Sequence, residues 1–205
     1  SHPGRWCPFG RSSARTDRPN GHHRPDESCA IGERVEGAGG AYLEAPVLGS
    51  LPEARSGTLL VMASGDQPRF QRLLPMFEAL SEAPMYIGPL GQAAALKLAL
   101  NQLIVGLTAT FSVSLGLVRS AGLDVEQFMG LVRQSALYAP TYDKKLPKYL
   151  AHDYESANFP LKHLLKDARL IERVLAAQGI DAATVGAVAD AAERGIAAGH
   201  GDSDY

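Results

Sequence analysis

The sequence has few cysteines, few aromatic residues and almost no net charge. Its two cysteines form no CxxC pair and have no neighbouring set of metal ligands. This excludes a small disulfide scaffold, and a reducing cytoplasm is the expected location. Aromatic residues make up 7% of the chain. Twenty Lys and Arg against 22 Asp and Glu leave a net charge of −2, which provides no overall basic field for nucleic acid or an anionic membrane.

The remaining composition is that of a folded globular protein. Hydrophobic residues make up 45% and charged residues 20% of 205 residues, a length that suits one large or two small domains. Residues 1–30 differ, because they carry both cysteines, Trp6 and three of the six histidines without apolar periodicity. We predict that residues 1–30 are a tail that is either unstructured or unrelated in sequence to the rest of the domain, and that His22 and His23, which lack a third ligand, hold no metal.

Residues 31–90 show the pattern of an α/β fold. Residues 41–47 predict a short strand, and the apolar run at 58–63 predicts a strand buried on both faces. An amphipathic helix over 67–82 and a strand at 85–87 complete a βαβ unit. This segment therefore has the pattern of the end of a larger α/β domain.

Residues 91–205 show helical periodicity almost throughout. A long helix over 92–120 is expected to end at Gly122, and further helices are expected over 159–177 and 183–198. The predicted fold is thus an α/β segment followed by an all-helical domain.

The long helix contains a charge-free stretch, residues 98–118, that is long enough to cross a bilayer. Polar residues such as Asn101 lie within it, and no cluster of Lys or Arg flanks it, so we expect a buried helix of a soluble domain. Because this helix is apolar nearly all round, we expect a second subunit to cover part of it. The chain is then a homodimer or higher homo-oligomer, with Phe111 and Leu115 at the interface.

Lys97 is the one charged residue among the 36 residues between Glu82 and Arg119. An ammonium among leucines either extends to water or faces a cleft where a ligand binds. Asn101 lies one helical turn later on the same face, where its amide can hold the ammonium or a ligand oxygen. The pair alone leaves both interpretations open, a structural pair and a functional one.

Three blocks of sequence together resemble the β-hydroxyacid dehydrogenase family, which includes 3-hydroxyisobutyrate dehydrogenase and the glyoxylate/succinic semialdehyde reductases. The blocks are Glu44-Ala45-Pro46-Val47-Leu48-Gly49-Ser50, then Gly88-Pro89-Leu90-Gly91 with Lys97 and Asn101, then Phe159 with Lys166-Asp167. Gly201-Asp202-Ser203-Asp204 is similar to the family's C-terminal motif. The order and spacing of the blocks match over residues 31–205.

The resemblance implies a two-domain oxidoreductase for small hydroxy acids and their semialdehyde or keto forms. Residues 31–90 would be the C-terminal part of a Rossmann domain for NAD or NADP, and residues 91–205 a helical substrate and dimerisation domain entered through a long interdomain helix. By the same resemblance Lys97 is the catalytic acid/base with Asn101 beside it, and Lys166 reaches the cofactor. The residues implied to bind substrate are Leu48, Gly49 and Ser50.

The sequence departs from the family pattern in two places. Leu48 stands where many members have serine, which removes a hydroxyl for a substrate carboxylate and leaves the backbone N–H groups of Gly49 and Ser50. No GxGxxG motif, the phosphate-binding turn of a Rossmann domain, occurs in the 205 residues. We therefore expect an oxidoreductase that lacks the N-terminal part of this domain, with a non-catalytic helical dimerisation module as the alternative.

Overall fold

The structure is a computed structural model that describes residues 24–205. These residues form a four-stranded sheet and eight α-helices. The strands are β1 (Leu43–Glu44), β2 (Val47–Leu48), β3 (Leu60–Gly65) and β4 (Met85–Gly88). The helices are α1 (Pro25–Gly37), α2 (Leu51–Ser56), α3 (Gln67–Glu78), α4 (Gln92–Ser120), α5 (Val125–Gln134), α6 (Pro140–Ala151), α7 (Leu161–Ala177) and α8 (Ala183–Gly195), followed by a π-helical turn at Ile196–His200. The chain divides into a first unit that ends at Ala99 and a second unit, Leu100–Tyr205.

Strand β3 organises the sheet of the first unit. Strands β1 and β2 pair with it in antiparallel fashion, and β4 runs parallel to it. Helix α3 connects β3 to β4, which confirms the predicted βαβ unit. The strand predicted over 41–47 is instead divided between β1 and β2, since Pro46 between them has no N–H for the ladder. The side chains of β3 are buried from Val61 to Ser64. Because this part of the strand is buried on both faces, its sequence is apolar without alternation up to Ala63.

Helix α1 lies partly within the segment that was predicted to be an unstructured tail. It begins at Pro25, so the prediction of an unstructured segment is wrong for residues 25–30, whereas residues 1–23, with His22 and His23, lie outside the described residues. The helix buries Ser28, Cys29 and Gly32, which are too small to give an apolar period. A Cβ on Gly32 would overlap the end of the Leu90 side chain, so a larger residue there would require that side chain to move.

Helix α4 has the predicted bounds and supplies the core of the second unit. Phe111 and Leu115 of α4 pack with Met129 of α5 and Leu146 of α6, and the Phe111 ring stacks on Tyr142 with 4.5 Å between centroids. The expectation that Phe111 and Leu115 form a subunit interface is therefore wrong, because their contacts lie within this unit.

By length and composition alone α4 is able to cross a membrane, with a mean hydropathy of 1.5 over its most apolar 18 residues. A core helix passes the same test. The packing of Phe111 and Leu115 into the unit's own core favours the predicted core helix.

The last five residues are fixed to the helices by a buried ion pair. Asp204 Oδ2 accepts hydrogen bonds from Lys145 Nζ at 2.9 Å and Lys148 Nζ at 3.0 Å, and Oδ1 accepts one from the Phe159 N–H at 3.1 Å. The side chain of Asp204 is 1% exposed. Lys145 Nζ also lies 3.4 Å from the centre of the Tyr205 ring, so the C-terminal residues are part of the packed unit.

Candidate active site

A buried carboxylate fixes the N-terminus of α4, one to two turns before Lys97. Glu44 Oε2 accepts hydrogen bonds from the Gly91 N–H at 3.1 Å and from Ser64 Oγ at 2.5 Å. Ser64 Oγ in turn accepts one from the Ala93 N–H at 3.3 Å. The first N–H groups of a helix have no partner within it, and the helix dipole favours negative charge there. Strands β1 and β3 therefore position the start of α4.

Replacing Glu44 with alanine is expected to lower the free energy of unfolding by about 1.5–3 kcal/mol, because the Gly91 N–H and Ser64 Oγ lose a charged acceptor in a buried place. Urea denaturation measures the change. Glu78→Ala, which removes an exposed glutamate at the end of α3, is the control. A loss for Glu44→Ala no larger than the loss for this control would contradict the assignment.

Lys97 and Asn101 are both buried on α4, at 6% and 7% exposure. They are four residues apart in a continuous helix, so both lie on one face. This burial disagrees with a lysine that simply extends to water. A buried ammonium is costly unless polar groups or a ligand compensate it, so polar groups of the protein or a ligand are required beside Lys97.

The orientation of Asn101 is set by a residue to which the sequence assigned no role. Asn101 Nδ2 donates a hydrogen bond to Asp167 Oδ2 at 3.2 Å, and Asp167 is 2% exposed. The amide oxygen of Asn101 is thus the end that faces away from Asp167 and is able to accept a hydrogen bond. The sequence did contain a signal for the role of Asp167, because this acidic residue lies on the apolar face of a predicted helix, beside Leu164 and Ala168.

Lys166 joins the same group of side chains. Its Nζ lies 3.5 Å from Asp167 Oδ1, and a third of the lysine side chain remains exposed. Asp167 therefore contacts two of the predicted site residues, Asn101 with one oxygen and Lys166 with the other.

Polar groups of the predicted substrate loop are already hydrogen-bonded to a side chain of the first unit. Leu48 ends β2 opposite Leu60, and Gly49 has a φ of +134°, a conformation that favours glycine. Ser50 precedes α2, and both its N–H and its Oγ donate to Glu53 Oε2, at 2.8 and 2.7 Å. The expectation that the Ser50 N–H is available to a substrate carboxylate therefore does not hold while Glu53 occupies it.

The N-terminus of α3 in the βαβ unit is not open to the pyrophosphate of a dinucleotide. The N-terminus of α3 is capped by Asp66, whose Oδ1 accepts a hydrogen bond from the Arg69 N–H at 2.8 Å. A carboxylate there repels a phosphate that would otherwise bind the helix N-terminus. Within residues 24–205, no group of three or more His, Cys, Asp or Glu side chains is arranged to hold a metal ion.

The fold is that of proteins that combine a Rossmann domain with a helical domain. A family model described as NAD-binding of NADP-dependent 3-hydroxyisobutyrate dehydrogenase matches residues 91–205, and a model of the NAD binding domain of 6-phosphogluconate dehydrogenase matches residues 20–88. The chain belongs to the β-hydroxyacid dehydrogenase family. The predicted fold class and the predicted NAD(P) cofactor are confirmed.

Two curated relatives from Arabidopsis thaliana are glyoxylate/succinic semialdehyde reductases. Reductase 1 is 31% identical over 180 residues, covering 88% of this chain and 62% of that protein. The chloroplastic reductase 2 is 35% identical over 143 residues, covering 70% of this chain and 40% of that protein. The chain thus spans less than two thirds of the length of either relative.

The solved structures that resemble the chain support the fold. The 3-hydroxyisobutyrate dehydrogenase from Salmonella typhimurium superimposes with a TM-score of 0.79 at 21% identity, covering 88% of this chain and 64% of that one. The enzyme of that name from Mycobacterium tuberculosis gives a TM-score of 0.78, also at 21% identity and with the same coverage.

Proposed function

We propose that this chain is the substrate-facing part of an NAD(P)-dependent oxidoreductase that interconverts a small hydroxy acid and its semialdehyde or keto form. The observation that carries the proposal is a buried lysine, Lys97, one helical turn from a buried amide, Asn101, whose orientation Asp167 fixes. When bound, the nicotinamide supplies or accepts a hydride.

Lys97 is the acid/base in this proposal. As the carbonyl carbon of the substrate is reduced, negative charge develops on its oxygen, and an ammonium beside that oxygen stabilises the charge and donates the proton. In the oxidative direction the neutral amine of Lys97 accepts the proton from the hydroxyl.

Asn101 and Lys166 position the reacting groups. The amide oxygen of Asn101 is able to accept a hydrogen bond from the Lys97 ammonium or from a substrate hydroxyl. Asp167 holds Lys166, whose exposed part is able to reach a ligand. The residues of this chain therefore fit the reacting end of the cofactor, while the Asp66 cap does not fit its pyrophosphate.

The test is NADPH or NADH oxidation with glyoxylate and with succinic semialdehyde, the substrates in the names of the Arabidopsis relatives. Substrate-dependent oxidation that is lost in Lys97→Met supports the proposal. A cooperatively folded protein that binds neither dinucleotide contradicts it.

A second candidate function is a non-catalytic helical dimerisation module. A further relative is the cytokine-like nuclear factor N-PAC of Anopheles gambiae, whose name states a nuclear factor and no reaction. That protein is 32% identical over 147 residues, covering 71% of this chain and 26% of its own length. Dinucleotide binding separates the two candidates, because the module requires none.

We also propose that the chain is a homodimer through α4. The exposed side chains Leu103, Val113 and Leu117 form an apolar stripe on this helix, and they are 60%, 74% and 69% exposed. Large exposed apolar patches of this kind mark interaction sites. A second copy of the helical unit would bury the stripe.

Leu117→Lys is expected to convert the dimer into a monomer at micromolar concentration, because an unpaired charge in an apolar interface is strongly unfavourable. Sedimentation velocity measures the change. Leu131→Lys, which places the same charge at an exposed leucine of a different helix, α5, is expected to leave the dimer intact. A wild-type chain that sediments as a monomer would refute this interface.

A further inference from the structure

A pocket of about 180 Å³ lies within the helical unit, among α4, α6, α7, α8 and Tyr205. Within residues 24–205, no charged side chain lines it, and neither Asn101 nor Asp167 takes part. Its walls include Val105, Leu164 and Val188. The pocket therefore differs in position and in chemistry from the site at Lys97 and Asn101.

Small residues create this space between α4 and α8. Ala109 on one helix and Ala191 and Ala192 on the other line the pocket, where larger side chains would fill it. The hydroxyls of Thr108 and Ser112 also line it, but they donate to carbonyls of their own helix, Ile104 O at 2.7 Å and Ala109 O at 2.8 Å. Most of the wall is thus apolar.

Two tyrosines supply most of the remaining polar character. Tyr149 and Tyr205 line the pocket. Burial, with Asp204 nearby, raises the pKa of Tyr205 to about 12, and burial also raises the pKa of Tyr149. Both side chains are therefore uncharged phenols at neutral pH, and neither attracts an ionic ligand.

We propose that this pocket binds an uncharged molecule built on a single aromatic ring with at most one hydrogen-bonding group. The pocket is open to solvent on the side of Ala191, and its volume is close to the about 150 Å³ of an apolar cavity that takes up benzene in another protein, so its size suits one ring. Charged molecules are excluded, because the lining residues offer no counter-charge.

Most of the α4 wall of the pocket points away from the exposed stripe that a second copy would cover. At about 100° per residue, Val105 and Thr108 lie about 120–180° around the helix from Leu103 and Leu117. Ala109, which also lines the pocket, lies one turn before Val113, so the pocket and the stripe border each other at that position.

The test is a titration of the ¹⁵N-labelled chain with phenol and with benzoate, followed by amide chemical shifts. Phenol is expected to give saturable shifts confined to the pocket segments of α4, α6, α7 and α8, and benzoate is expected to bind at least about tenfold more weakly. Shifts that do not saturate, that spread over the surface or that lie along the exposed stripe would overturn the proposal.

Two variants fill the pocket from opposite walls, Ala191→Leu from α8 and Ala109→Leu from α4, so that a folding failure in one leaves the other as a test. Each is expected to weaken phenol binding at least about tenfold, since a leucine occupies the space of the ring. Ala187→Leu, on an exposed part of α8 outside the pocket, is the control that retains binding. Undiminished binding in both filled variants refutes the site. This readout needs neither dinucleotide nor turnover, so its failure leaves the proposed oxidoreductase function untouched.

Discussion

Lys97→Met is expected to lower kcat for carbonyl reduction by about 10²-fold or more while leaving the fold and the oligomeric state intact. Methionine keeps the length and apolar character of the buried lysine stem, so packing on α4 is preserved. The proton donor and the positive charge beside the developing oxyanion are lost. Steady-state kinetics with the dinucleotide and the carbonyl substrate gives kcat, and circular dichroism gives the melting temperature.

Lys166→Met is the matched control for this experiment. Its lysine is a third exposed and is assigned to the cofactor, so its loss is expected to raise KM for the dinucleotide more than it lowers kcat. Near-normal kcat in a well-folded Lys97→Met variant would remove Lys97 from the mechanism.

Asp204→Ala is expected to lower the free energy of unfolding of the helical unit by about 3–5 kcal/mol, because it leaves the buried Lys145 without its carboxylate. The Phe159 N–H also loses its acceptor. Urea denaturation followed by circular dichroism measures the loss.

Asp202→Ala is the control from the same segment. Its carboxylate is 86% exposed and pairs with Lys162, and an exposed pair of this kind contributes about 0–1 kcal/mol. Equal effects of the two substitutions would show that Asp204 is no more than a surface contact.

The same ion pair predicts a dependence of stability on pH. Burial alone would raise the pKa of Asp204, but hydrogen bonds from Lys145, the Phe159 N–H and Lys148 outweigh it and lower the pKa below its ordinary value. The folded state therefore binds this proton less readily than the unfolded chain, whose aspartate pKa is about 3.9. The stabilisation is complete above about pH 5 and is lost progressively as the pH falls through the unfolded and then the folded pKa. Urea midpoints measured between pH 3 and 7 should fall at the acid end, and the fall should be smaller in Asp204→Ala.

Elements with strong periodicity could be predicted from the sequence. The bounds of α4 followed from its apolar run and from Gly122, which has a φ of +68° after the helix end. The βαβ unit followed from the fully apolar start of β3, because a strand buried on both faces carries no polar alternation.

Features that depend on close packing or on distant partners could not be predicted. Helix α1 packs through Ser28, Cys29 and Gly32, and small residues leave no hydrophobic pattern to detect. The contact from Asn101 to Asp167 joins residues 66 positions apart, which no local rule relates. The burial of Phe111 within its own unit depends on side chains of α5 and α6. The sequence did not indicate which faces of these two helices pack against α4.

Helix α4 runs without interruption through the point where the first unit ends at Ala99 and the second begins at Leu100. Lys97 and Asn101 stand on either side of this point, about 6 Å apart along the helix axis. Deleting or inserting one residue between them would turn one side chain by about 100° relative to the other, whereas a substitution there leaves their spacing unchanged. The number of residues between Lys97 and Asn101 is therefore a stricter requirement for this pair than the identity of the residues between them.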